Sequence, residues 1–109
     1  MDYEQMKQAL LDYNWDDGFE FPQTLLDNPL CDLSLALQIF DLADGYSYLV
    51  HGPSCTLKKW TSFIRPLYED ILAGKYPKTD TPYKPPYTRV QKYKLQKAGW
   101  PDIFLMDLP

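Results

Sequence analysis

The stretch Leu33-Ser34-Leu35-Ala36-Leu37-Gln38-Ile39-Phe40-Asp41-Leu42-Ala43 decides the fold. Its polar residues Ser34, Gln38 and Asp41 recur at i, i+4 and i+7, a narrow stripe on an otherwise apolar cylinder. A helix apolar nearly all round is a central helix, packed by other elements on most sides. Asp32 stands at the N-cap position, where a carboxylate accepts from the free amides of the first turn. Asp44-Gly45 ends the helix, with Gly45 expected at the left-handed C′ position. Asp41 and Asp44 lie towards the C-terminal end, where an acid opposes the helix dipole by roughly a few tenths of a kcal/mol each. They are read as serving something other than the helix.

Working outward, Tyr3, Met6, Leu10 and Tyr13 recur at helical spacing with Glu4, Lys7, Gln8 and Asp12 turned away, which predicts an amphipathic first helix. Asp2 and Gln5 form a capping box at its start. Asn14 to Gly18 ends it. Pro22 suits the first turn of a short helix running to about Asp27, which Asn28-Pro29 stops. Residues 46–50, Tyr-Ser-Tyr-Leu-Val, fit either a short strand or a helical turn, and His51-Gly52-Pro53 reads as a turn. Leu57, Trp60, Ile64, Leu67 and Ile71 then share one face of a long helical pattern ending at Gly74. Pro66 interrupts it, and an interior proline costs about 3 kcal/mol, so a kink or two shorter helices are expected. Residues 75–87 hold four prolines and predict an extended, partly polyproline loop. Thr88 and Gln91 make a second capping box for a helix running to about Ala98 and stopped by Gly99. The tail from Pro101 to Met106 is apolar enough to dock on the body. The predicted fold is an all-α, compact single domain over residues 1–109, about five helices with a Pro-rich loop.

Charge is divided unevenly along the chain. Residues 1–53 carry ten acids against the single Lys7, a net of −9, and residues 54–109 carry ten Lys and Arg against five acids, a net of +5. Overall acidity argues against nucleic acid as the main ligand, since that affinity is mostly phosphate neutralisation. The N-terminus reads as no signal peptide, and no run is long and apolar enough to span a bilayer. Cys31 and Cys55 are too few for a disulfide scaffold and read as cytoplasmic thiols, Cys31 in the core and Cys55 opening a helix.

The densest chemistry is Asn14-Trp15-Asp16-Asp17-Gly18-Phe19-Glu20-Phe21-Pro22, three carboxylates among three large aromatics. Asp16-Asp17-Gly18 reads as a turn whose side chains bond local amides. The turn is the favoured reading, a partner contact is the next, and a divalent cation or acid/base chemistry, which carboxylate oxygens also suit, comes last. The spacing of a calcium-binding loop is absent, as are a phosphate-binding glycine loop, a nucleophile elbow, a His/Cys metal set and a dinucleotide fingerprint. His51 has no nucleophile to pair with. The chain is therefore read as no enzyme, with no cofactor and no metal. In the basic half, Arg89, Lys92, Lys94 and Lys97 alternate with Tyr87, Tyr93 and Trp100, the composition of a base-stacking surface. The plainer reading is a solvated helix face with Val90 and Tyr93 turned inward. These lysines also read as an internal counterweight to the acidic half.

Three motifs resemble a bacterial domain family of unknown function: Asn14-Trp15-Asp16-Asp17-Gly18-Phe19-Glu20, then Cys31-Asp32-Leu33 with the Ala36-Leu37 to Asp44-Gly45 helix, and Pro85-Pro86-Tyr87-Thr88-Arg89-Val90-Gln91-Lys92-Tyr93-Lys94-Leu95. The resemblance implies an immunity protein of a polymorphic or contact-dependent toxin system, monomeric when free, whose partner is a cognate toxin domain. A nuclease toxin needs a basic cleft, which an acidic, aromatic-rich inhibitor can occlude. The expected contact residues are Trp15, Asp16, Asp17 and Glu20, then Asp12, Asp41 and Asp44. The competing expectations are a small carboxylate-based enzyme and an adaptor that binds RNA or protein through residues 84–97.

Overall fold

Seven of the ten residues of the central helix are buried, and this helix organises the rest. The computed structural model describes residues 2–51 and 58–108. Six α-helices lie among them: α1 (Tyr3–Asp12), α2 (Glu20–Asp27), α3 (Leu33–Leu42), α4 (Gly45–His51), α5 (Lys58–Leu72) and α6 (Arg89–Lys97). The protein is mostly helical, and among the described residues the only β pairing is an isolated antiparallel bridge between Tyr83 and Leu108. α3 packs against α5 and α4. Both predicted capping boxes form, Asp2 with Gln5 and Thr88 with Gln91.

The departures from expectation have local causes. Asp44, not Gly45, takes the positive φ after α3 (66°). Gly45 instead opens α4, so residues 46–50 are helix, which raises the count from about five to six. Gly45 is needed for space: a Cβ there would overlap the Phe40 ring and stand 2.6 Å from the Phe40 carbonyl oxygen. α5 runs through Pro66 as one helix, held by its buried face of Phe63, Ile64, Leu67 and Ile71. Packing of that stripe outweighs the single missing hydrogen bond. Of the turn assigned to His51-Gly52-Pro53, His51 is the last residue of α4, while residues 52–53, the helix start at Cys55 and the apolar position of Leu57 lie outside the described residues.

The polar stripe of α3 faces the Pro-rich loop. Ser34 Oγ donates to Pro82 O (3.2 Å) and Leu33 N–H donates to Pro77 O (2.9 Å). Asp32 is 2% exposed and ties three segments together. Its carboxylate accepts from Leu35 N–H of α3 (2.8 Å), from the Tyr3 hydroxyl of α1 (2.8 Å) and from the Thr79 hydroxyl of the loop. The tail docks as predicted, with Phe104 and Leu105 each 3% exposed. Phe104 stacks on Tyr68 (5.1 Å between centroids, 6° between planes) and lies 4.8 Å from Phe40.

Removing the Asp32 carboxylate takes away an N-cap and leaves two hydroxyls without their acceptor. Asp32→Ala is expected to cost about 2–5 kcal/mol, and Asp32→Asn, an equally good N-cap residue, distinctly less. Urea denaturation of both variants checks the order.

Burial raises the phenol pKa of Tyr3, Tyr48, Tyr68, Tyr76, Tyr83 and Tyr87. Tyr3 is pushed up to about 12, first by burial and then by its hydrogen bond to Asp32. A raised folded-state pKa gives stability that is complete below the unfolded value of about 10 and is lost as pH climbs through the folded value. Phenolate absorbance of the native protein should therefore lag that of the urea-denatured chain above about pH 10, with alkaline unfolding following over that range.

Candidate functional site

Between α1 and α2 the chain makes a single 3₁₀ turn, Trp15–Asp17. Asn14 caps it, its side chain accepting from Asp16 N–H (3.1 Å). Gly18 leaves the turn at φ 99°, a conformation that favours glycine. The Tyr13 hydroxyl closes the segment by donating to Gly18 O (2.6 Å). Because Asn14 and Tyr13 satisfy the turn, the carboxylates of Asp16 and Asp17 have no hydrogen bond or ion pair among the described residues. Glu20, in the first turn of α2, is equally unengaged. Their charges are felt nearby: the Tyr13 phenol is raised by desolvation and then by Asp17 and Glu20.

These residues edge a broad, open depression. Trp15, Asp16, Asp17, Glu20 and Gln23, from the 3₁₀ turn and α2, line it together with Lys58, Lys59 and Ser62 of α5. Phe19 and Phe63 also line it, stacked at 4.8 Å and 18°, and join these two parts of the chain. Trp15 is half-buried, with Tyr13 edge-on at 5.4 Å and Phe19 at 6.4 Å. The fold thus brings together four of the seven residues singled out in the sequence, and adds the Lys58–Lys59 pair, whose place beside this depression depends on how α5 packs. Sequence reading missed this pair because forty residues separate it from Trp15.

Asp12, Asp41 and Asp44 stand outside the depression. Asp12 accepts from Gln8 at the end of α1 (3.1 Å). Asp44 accepts from Ser47 Oγ (2.8 Å) and immediately precedes α4, where an acid is favourable with the dipole. It therefore does serve a local role, contrary to the expectation that it gains nothing locally. Asp41 is partly buried, its carboxyl raised first by burial and then by Asp44. Tyr83 and Tyr87 are raised first by burial and then by the Asp41 charge. Cys31 is a buried thiol, pushed up to about 12 by burial and then by Asp32. Among the described residues no three His, Cys, Asp or Glu side chains gather as a metal-holding group.

The basic half differs from expectation in two ways. Val90 and Tyr93 point outward, 61% and 63% exposed; Leu95 is the buried residue of α6. The ion pairs among the described residues, Arg65–Glu69, Lys75–Asp70 and Lys92–Asp107, all join partners within the second half. Lys92 is thus the one α6 lysine in an ion pair among the described residues, and its partner belongs to the second half and not to the acidic half. No helix among the described residues is long and apolar enough to cross a membrane.

Comparison with known proteins adds a family. No curated protein and no solved structure matches the chain. Residues 2–72 match the family described as a domain of unknown function (DUF4274). That span runs from the cap of α1 to the last residue of α5 and includes both sides of the depression, whereas the motif at Pro85–Leu95 lies beyond it. With well over half of its length matched, the chain belongs to the DUF4274 family.

Proposed function

We propose that this chain is a binding protein and not a catalyst: an immunity protein that acts in the bacterial cytoplasm and neutralises a cognate toxin, a nuclease, by occluding its active site. The observation that carries this reading is the grouping of Trp15, Asp16, Asp17 and Glu20 on one side of an open depression, with the three carboxylates unengaged among the described residues. A nuclease cleft is basic because it holds phosphates, and carboxylates presented on a rigid turn occupy the same positions. Trp15 supplies a large, partly preorganised anchor. Asp12, Asp41 and Asp44 contribute to the field that steers the basic partner, which acts over about a Debye length, roughly 8 Å at physiological salt.

Co-expression with the product of the adjacent gene tests the reading. Growth rescue and a salt-sensitive complex are expected. Asp16→Asn with Glu20→Gln should speed dissociation and flatten the salt dependence of binding, because truncating one partner of a buried charge pair acts mainly on the off-rate. Trp15→Ala should weaken the complex about 30-fold, the usual threshold for an anchor residue. A wild-type protein that forms no such complex and gives no rescue would sink the proposal.

The outward Val90 and Tyr93 favour a second reading, an adaptor that binds RNA along α6. These residues with Arg89, Lys94 and Lys97 form an exposed stripe free of acids, and Lys97 lies 6.0 Å from the centre of the Tyr93 ring. Binding to single-stranded RNA that falls steeply with salt and is lost in Tyr93→Ala would support it.

A further inference from the structure

The depression is bipolar. Its lining combines Asp16, Asp17 and Glu20 with Lys58 and Lys59 at the start of the described part of α5, and the stacked Phe19 and Phe63 join the two elements. An inhibitor that only imitated a nucleic-acid strand would gain from acids on both sides, and a lysine pair would repel the basic cleft. Here both signs line one depression together with two stacked aromatic rings, and none of these five charges forms an ion pair among the described residues. Opposite charges held on separate elements, without closing on each other, are arranged for a partner of complementary polarity.

We infer that the occupant of this depression is a segment of the partner protein with charge on both edges: cationic groups against Asp16, Asp17 and Glu20, an apolar side chain on Phe19, and carboxylates against Lys58 and Lys59. This rests on the reading of the chain as a toxin-binding protein and deepens it, because it specifies a partner site in which basic and acidic groups lie side by side. A hydrolytic nuclease centre has that chemistry where phosphate-binding cations flank carboxylates that hold a metal or act as bases. Lys58 and Lys59 would then neutralise those carboxylates while the acidic side fills the phosphate positions. The lysines also discriminate against a purely basic surface, since a like-charge juxtaposition is unfavourable.

The test uses the full-length protein and the toxin domain encoded by the adjacent gene, with affinity measured by calorimetry for the wild type, Lys58→Glu/Lys59→Glu and Lys58→Gln/Lys59→Gln. The sites are exposed, and circular dichroism establishes that each variant keeps its helices. The bipolar partner predicts weaker binding for both variants, about tenfold for the neutral pair and more for the reversed pair. A wholly basic partner predicts the opposite sign, tighter binding as positive charge is removed. Tighter or unchanged binding would overturn this inference and leave the toxin-binding reading standing. A wild-type protein that forms no complex would remove both.

Discussion

The Asp32 carboxylate is the constraint on which the arrangement of helices depends. It is almost fully buried, and a buried carboxylate is tolerated only when its oxygens are satisfied by donors. Those donors come from three separate parts of the chain: the first turn of α3, Tyr3 of α1 and Thr79 of the Pro-rich loop. Meeting the demand of one side chain thereby fixes where α1 crosses the start of the central helix and where the loop returns. Ser34 and the Leu33 amide extend the same seam by bonding Pro82 and Pro77 carbonyls. A loop rich in proline has few N–H groups to offer but many free carbonyls, so it pairs naturally with donors on α3.

At the other end of α3 the contacts are aromatic. Phe40, Tyr48, Tyr68 and Phe104 form a run of ring contacts that joins α3, α4, α5 and the C-terminal tail. With Trp60 donating to the Ala43 carbonyl (2.7 Å), this cluster anchors α5 against the central helix. The position of α5 is what brings Lys58 and Lys59 into the same depression as Asp16, Asp17 and Glu20. The depression is thus a consequence of core packing some distance away, with its acidic side on a self-capped turn and its basic side on a packed helix. Rigid elements of this kind present charges in fixed positions, as a complementary surface requires.

The caps were legible in the sequence because they are local: Asp2 with Gln5, Asp32, and Thr88 with Gln91 each need only three or four residues to be recognised. The central helix was legible from its apolar surround, and the docking of the tail from its composition. The Asn14–Glu20 segment was legible as an unusual chemical grouping, but which of its side chains would be consumed by the turn was not. Asn14 took the cap, and that left the aspartates free. Gly45 was misread for a similar reason: a glycine after a helix signals a left-handed C′, yet here its lack of a Cβ serves the approach of Phe40, and Asp44 takes the turn. Val90 and Tyr93 were read as core because apolar residues on a helix usually are, whereas α6 buries only a narrow face around Leu95.

By itself, the sequence determined most of the helices, the caps that start α1, α3 and α6, and the uneven division of charge, since these follow from the residues themselves and from interactions no more than a turn or two apart. The tertiary structure decided what no local pattern contains. It gave Asp32 two donors from distant segments beside its local cap, carried α5 through Pro66 because a buried face outweighed the lost bond, and brought two lysines into one depression with three acids. Contacts between residues tens of positions apart are fixed by core packing and by the satisfaction of buried polar groups, which act only once the chain has closed on itself.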